Sequence, residues 1–132
     1  MINIATCACG DLKVEVSGEP DLNGICHCNN CKKRTGSAFG MSAYFKRSSI
    51  LKIEGNSSCY ELNNPADGSH QKRFFCSRCG TTVYWEISTQ AGMVGIAAGC
   101  FVDNPIANPK YSASTDKKLK WVRLPWNIKK FT

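Results

Sequence analysis

No stretch of this sequence approaches the ~18 consecutive apolar residues that a membrane-spanning helix requires, so no membrane is expected. The opening residues, Met1-Ile2-Asn3-Ile4-Ala5-Thr6-Cys7, lack both the charged start and the long apolar run of a secretory signal, and no lipidation pattern stands at the other end. The expected setting is the reducing cytoplasm. No internal repeat, low-complexity segment or separate linker interrupts the chain, and the expectation is a single domain over residues 1–132. Acidic residues are scarce, ten against 17 Lys and Arg, and from Lys117 onward there are none. That late basic stretch, Lys117, Lys118, Lys120, Arg123, Lys129 and Lys130, reads as a solvated face rather than a binding arm.

What is present suits a globular protein: 42% hydrophobic and 20% charged residues, at a length that can bury a core without disulfides. Short alternating or β-rich runs recur between turn signals, at Leu12–Val16, Ile25–Cys28, Ser42–Phe45, Ile50–Ile53, Cys59–Leu62, Arg73–Cys76, Thr81–Glu86, Val94–Ala98 and Trp121–Leu124. The pattern is all-β. Leu12, Val14 and Val16 share one face while Lys13 and Glu15 share the other, the period of a half-buried strand. One short helix is expected near Asn30–Thr35, capped by an Asn and stopped by Gly36. Phe39, Tyr44, Phe45, Phe74, Phe75, Trp85 and Trp121 fall in or beside the β runs and read as mostly core.

Cysteine is the outlier, with nine in 132 residues. In an exported chain that count would mean a disulfide framework, but nine is odd and no export signal exists. Metal binding is the better reason to keep so many thiols. Seven of them form three groups: Cys7-Ala8-Cys9, then Cys26-His27-Cys28-Asn29-Asn30-Cys31, then Cys76-Ser77-Arg78-Cys79. Residues i and i+2 of a strand point the same way, so Cys7 with Cys9, and Cys26 with Cys28, can each offer two sulfurs to one ion. The Cys76–Cys79 turn does the same, with Gly80 relaxing the backbone behind it. Cys31 adds a third sulfur to the middle group.

Seven ligands divide as four plus three, the outer pairs Cys7, Cys9, Cys76 and Cys79 meeting through the fold and Cys26, Cys28 and Cys31 forming a local face. Four-thiolate zinc sites are structural, whereas three protein ligands leave a position for substrate. Zinc with three thiolates carries a local charge of about −1, which blunts it toward water but suits an incoming sulfur. The other division, in which Cys26 and Cys28 join an outer pair and leave three spare thiols, also satisfies the spacing. His27 points away from its neighbours on a strand and is not expected to ligate; His70 reads as a surface residue, and Cys59 and Cys100 as inert buried thiols. Lys32, Lys33 and Arg34 follow Cys31 and could balance the thiolates or hold a substrate carboxylate. The formal charge of +7 would fall to about +4 with seven thiolates and two zinc ions in place, a mild attraction for small acidic molecules and weak ground for nucleic acid.

The order of these pieces, Cys7-Ala8-Cys9-Gly10, Cys26-His27-Cys28-Asn29-Asn30-Cys31, Gly36-Ser37-Ala38-Phe39, Phe75-Cys76-Ser77-Arg78-Cys79-Gly80-Thr81 and the late Trp121, resembles the glutathione-dependent formaldehyde-activating enzyme family, which includes centromere protein V. The resemblance implies a β-tent fold of packed antiparallel sheets, a structural zinc on the outer pairs and a catalytic zinc on Cys26, Cys28 and Cys31. It implies a carbon–sulfur lyase that joins glutathione and formaldehyde into S-hydroxymethylglutathione. Two positions depart from the family's pattern: Ser112 stands where a histidine is usual, and Lys120 where a proline is. Two function classes follow, an enzyme acting on glutathione or a related thiol adduct, and a non-catalytic zinc module that binds protein or nucleic acid through its basic surface.

Overall fold

The computed structural model describes all 132 residues, Met1–Thr132. Its strands are β1 (Ile2–Thr6), β2 (Lys13–Ser17), β3 (Leu22–Cys26), β4 (Gly40–Lys46), β5 (Ile50–Glu54), β6 (Ser57–Asn63), β7 (His70–Cys76), β8 (Thr82–Ile87), β9 (Met93–Ala97), β10 (Tyr111–Ala113) and β11 (Lys129–Lys130). The one α-helix, α1 (Asn29–Thr35), lies between β3 and β4. A three-stranded sheet runs β1-β2-β5, and an eight-stranded sheet runs β11-β10-β3-β4-β9-β8-β7-β6. Pairing is antiparallel except around β10, which lies parallel to both β3 and β11.

The two sheets share one core. Leu12, Val14 and Val16 are fully buried, as their alternation requires, and pack with Ala5 against Ala43, Phe45, Val83, Val94, Ile96 and Phe101 of the larger sheet and its flank. Each buried Leu, Val, Ile or Phe side chain there contributes about 1.5–3 kcal/mol. No helix is long and apolar enough to cross a membrane.

Several local expectations need correction. Trp121–Leu124 is not a strand, and Trp121 is 70% exposed, because no neighbouring strand offers it a ladder. Its β-rich composition had no partner to act on. The helix begins one residue earlier than expected, and its cap is Cys28 rather than an asparagine: the Cys28 sulfur accepts from the Cys31 amide at 3.3 Å. Gly36 closes it as foreseen, in the left-handed region at φ 63°, with its N–H donated to the Lys32 carbonyl. Cys59 is exposed on β6, the edge strand, whereas Cys100 is buried. His70 is exposed, but it begins β7 rather than lying in a loop.

Candidate functional site

Two turns bring the outer cysteines together. The β1–β2 turn holds Cys7 and Cys9; Cys76 ends β7, and Cys79 lies in the β7–β8 turn that follows. The two turns are built alike. Each closes with an amide on the first cysteine's carbonyl, Gly10 N to Cys7 O at 3.1 Å and Gly80 N to Cys76 O at 2.9 Å. Each aims a backbone N–H at the first sulfur, Leu12 at Cys7 (3.2 Å) and Arg78 at Cys76 (3.4 Å). Gly10 and Gly80 take φ of 84° and 81°, where a side chain would be strained. The Ala8 amide donates to Thr81 Oγ1 at 3.1 Å and ties one turn to the other.

The four sulfurs lie within 4.8 Å of one another, with Cys7–Cys9 at 3.7 Å and Cys9–Cys76 at 3.6 Å. A tetrahedral ion with metal–sulfur bonds of about 2.3 Å has sulfur–sulfur edges of about 3.8 Å, so the donor set fits a metal of zinc's size. Burial, and to a smaller extent Cys79, push the Cys7 thiol up, but the Leu12 amide and the Cys76 and Cys9 sulfurs outweigh them and the net shift is downward. Thr81, through its hydroxyl and its amide, holds Cys79 down at about 5. Cys9 ends at about 11: the Asp11 amide favours its thiolate, but burial and the three other sulfurs outweigh that.

The middle cysteines form a separate group, again within 4.8 Å of one another and all half-buried. Both groupings match the four-plus-three division, but strand geometry is not what produces it. Cys7 and Cys9 sit in a turn past β1, Cys26 ends β3, Cys28 caps α1, and Cys31 lies in its first turn. A strand that ends and a helix that starts three residues later aim three sulfurs at one point. Hydrogen bonds from Cys26 and Cys31 drive the Cys28 thiol strongly down; Cys28 in turn raises Cys26, against an opposing effect of Cys31, and Cys26 and Cys28 together raise Cys31 far more. Three thiolates this close can all be charged only with a cation among them.

These sulfurs face a cavity of about 410 Å³. Tyr44, Trp85 and Tyr111 line it, with Asn30, Arg34 and Ser114 among the polar groups. Trp85 Nε1 donates to the Tyr44 hydroxyl at 3.0 Å, and Tyr111 lies flat over Gly24, where any side chain would collide with its ring. Burial raises the Tyr44 hydroxyl to about 12. Ser114 Oγ stands 4.0 Å from Cys26 Sγ, on the one non-glycine residue with positive φ (50°). Arg73 crosses behind, its Nε on Gln71 Oε1 (3.1 Å) and Nη2 on Asn30 Oδ1 (2.7 Å).

His27 belongs to neither sulfur group. It is fully buried against Phe39, with Nε2 3.1 Å from Ser112 Oγ. Burial, then Lys118 and Lys32, lower its pKa and keep the ring neutral. Ser112 is itself fully buried and also bonds Thr115 Oγ1 at 2.8 Å. Of the basic trio, Lys33 is exposed, Lys32 Nζ donates to the Lys117 carbonyl at 2.7 Å, and only Arg34 reaches the cavity. Tyr111 and Ser114 carried no signal as cavity residues in the sequence, because β10 and the loop after it reach β3 only through the fold; nor did Asn30 of α1 and Gln71 of β7.

Among curated proteins none matches the chain significantly. Among solved structures, a Rhodobacter sphaeroides protein superposes with a TM-score of 0.59 over 100% of both chains at 18% identity, a likeness of fold. Residues 3–117, spanning both cysteine groups, match the family described as glutathione-dependent formaldehyde-activating enzyme, and the chain belongs to that family.

Proposed function

We propose that this protein is a zinc enzyme of carbon–sulfur lyase type that acts on glutathione or a related thiol adduct, with S-hydroxymethylglutathione formation as the reaction to test first. The observation that carries it is the contrast between a four-sulfur set and a three-sulfur set that opens on a cavity. All-sulfur donors suit zinc. Cys7, Cys9, Cys76 and Cys79 would hold a structural ion and Cys26, Cys28 and Cys31 a catalytic one, within one domain over residues 1–132. The bound zinc would supply a Lewis-acidic position that favours the substrate's thiolate over its thiol.

The chain's own residues supply the rest. Cys26, Cys28 and Cys31 fix where the substrate sulfur must come. Tyr44, Tyr111 and Trp85 give the cavity apolar walls that limit water beside it. Arg34 and Arg73 bring positive charge to a site crowded with thiolates, and no carboxylate of the protein pairs with either. In the forward reaction the sulfur forms a bond to the formaldehyde carbon, and the thiol proton ends on the former carbonyl oxygen. Nothing is oxidised or reduced. The reaction suits a reducing, cytoplasmic setting, where thiols stay free.

The test is metal content together with thiol binding. Two zinc ions per chain are expected, and glutathione at millimolar concentration should change the thiolate-to-metal absorption of cobalt-substituted protein. An unchanged spectrum would remove the open site. The second reading, a zinc module for an anionic partner, has one observation in its favour: Trp121 and Trp126 are 70% and 91% exposed beside the late basic residues. Submicromolar, salt-sensitive binding of DNA or RNA at physiological ionic strength would favour it.

A further inference from the structure

Arginine guanidinium groups inside proteins rarely leave a donor without a partner, because a buried N–H that loses water and gains nothing costs about 1–3 kcal/mol. Arg34 Nη2 is such a donor: it is buried and has no hydrogen-bond partner. The guanidinium is nevertheless held in place. Its carbon lies 4.2 Å from the centre of the Trp85 ring, stacked over a face that the Trp85–Tyr44 hydrogen bond fixes. On the other side is Gly40, where an added Cβ would come within 2.5 Å of Nη2 and 3.2 Å of Cys31 Cβ. The backbone there is bare, and the arginine fills the space a side chain would take.

Arg34 and Arg73 differ in a telling way. Arg73 has its Nε and Nη2 occupied by Gln71 and Asn30, and burial lowers its pKa, with Arg34's charge adding to the effect. Arg34 is close enough to be felt by its neighbour, lines the cavity, and makes no hydrogen bond that would explain its position. It follows Cys31 by three residues in α1, and residues at that spacing share a helix face with Cβ atoms about 5–6 Å apart. A cation without a partner therefore sits one helical turn from the three sulfurs. The single acidic residue lining the cavity, Asp67, lies on the loop before β7, where its carboxylate accepts from the Ser69 amide (2.9 Å) and hydroxyl (2.6 Å).

We infer that Arg34 reads a carboxylate on the thiol substrate, so that the cavity selects thiols bearing a carboxylate near the sulfur over neutral thiols of the same size. A carboxylate pairs in the plane of a guanidinium whose face is already taken by an indole, and it does so through the N–H groups other than Nη2, which packs against Gly40. Lys32 and Lys33 do not share the role, one committed to the Lys117 carbonyl and the other turned to solvent. The inference rests on the three-sulfur site accepting an external thiol, and the two are separable by experiment.

The probes are 3-mercaptopropionate and its amide, 3-mercaptopropionamide, which differ in one charged group. Each is titrated into cobalt-substituted protein, and affinity is read from the thiolate-to-metal absorption. The parent should bind the carboxylate about 10–100-fold more tightly, the range in which a charge-assisted pair discriminates at a half-open site. R34Q should lose most of that preference, Lys117 being the other cation lining the cavity, with amide affinity within about twofold of the parent's. K33Q should keep the full preference. Should R34Q fail to fold, R34K carries the test: it keeps the charge but loses the planar fork, and the preference should fall several-fold without changing sign. Equal binding of the two thiols by the parent, or an undiminished preference in R34Q or R34K, overturns the role of Arg34 and leaves the open site standing. If neither thiol alters the parent's spectrum, the open site itself is wrong and the inference falls with it.

Discussion

The two cysteine groups use the same donor atom within one small fold, yet they are built on opposite plans. The outer four come from two hairpin turns far apart in sequence, and their sulfurs already stand at tetrahedral spacing, tied by amide–sulfur bonds and by Ala8 to Thr81. The inner three come from one short stretch of chain at the end of β3, and beside them lies a cavity. On the function proposed above, what separates a clamp from a working site is how far apart the ligands are in the chain and what lies beside them. A metal on the outer set closes a loop that spans half the molecule. A metal on the inner set closes almost nothing, so its loss can be tolerated.

That difference predicts very unequal variants. Cys76→Ser removes a fully buried ligand from the clamp and should leave the chain unfolded or aggregated, a loss above about 4 kcal/mol, because structural zinc contributes folding free energy directly. The check is thermal unfolding and circular dichroism with zinc in excess, where a melting temperature equal to the parent's would erase the distinction. Cys31→Ser should behave in the opposite way. The protein should stay folded, its melting temperature within a few degrees of the parent's, while metal content drops from two ions to one and the response of the cobalt form to thiols disappears. Retention of both ions would mean that the three sulfurs do not act together.

Acid should separate the sites in the same order. Ligating sulfurs must be deprotonated, so each thiol whose pKa is raised weakens metal binding at a given pH, and the metal leaves as pH falls and protons return. In the outer set one thiol is raised, Cys9 at about 11, while Cys7 and Cys79 are lowered. In the inner set Cys28 is lowered by its two sulfur neighbours, but Cys26 and Cys31 are both raised, so two of three thiols resist deprotonation against one of four outside, and one fewer ligand holds the ion. The inner ion should therefore be released at a higher pH than the outer one, by about one unit or more. Zinc release followed with a chromogenic chelator between pH 7 and pH 4 should show two steps, with unfolding accompanying only the second. A single step with simultaneous unfolding would mean that the sites are one cooperative unit.

Much of this plan was legible in the sequence, and the parts that were not share a cause. Cysteine spacing is local, and it separated four sulfurs from three even though strand ends, turns and a helix cap, rather than the alternation of strands, aim them. The alternation of Leu12, Val14 and Val16 is local too, and it placed β2 correctly. β1 reads backward: Ile2 and Ile4 are 54% and 47% exposed, while Asn3 and Ala5 lie inside at 7% and 0%, so its apolar residues mark the wrong face. The small sheet fixes that register, because Asn3 and Ala5 pair with the buried Val16 and Val14. β10 and β11 are too short to carry a pattern and exist because β3 offers an edge. Trp121–Leu124 has a strand's composition and no edge to join. The cavity was hidden for the same reason, since Tyr111 and Ser114 reach the three sulfurs only through β10.

The smallest expected effects concern backbone strain, which the two sites treat differently. At the clamp, both positive-φ positions, Gly10 and Gly80, are glycines, so the turns there cost little. At the cavity, the positive φ of 50° falls on Ser114, whose hydroxyl stands 4.0 Å from Cys26 Sγ. An L-residue with a side chain in that region costs roughly 1–2 kcal/mol, and such cost persists where the surroundings or the function require that side chain. Replacing Gly80 with Ala should therefore destabilise the protein by about 1 kcal/mol, although its side chain would meet open space. Ser114→Gly should do the reverse and stabilise it by a few tenths to about 1 kcal/mol, the relief of strain being partly offset by the greater freedom of glycine in the unfolded chain. The same change removes the hydroxyl nearest the inner sulfurs, so thiol affinity at the cobalt site should fall a few-fold while stability rises. Urea unfolding of the two variants gives the first comparison and spectral titration the second. A Ser114→Gly protein that is no more stable and binds thiols as the parent does would show that the strain at this position serves neither the fold nor the site.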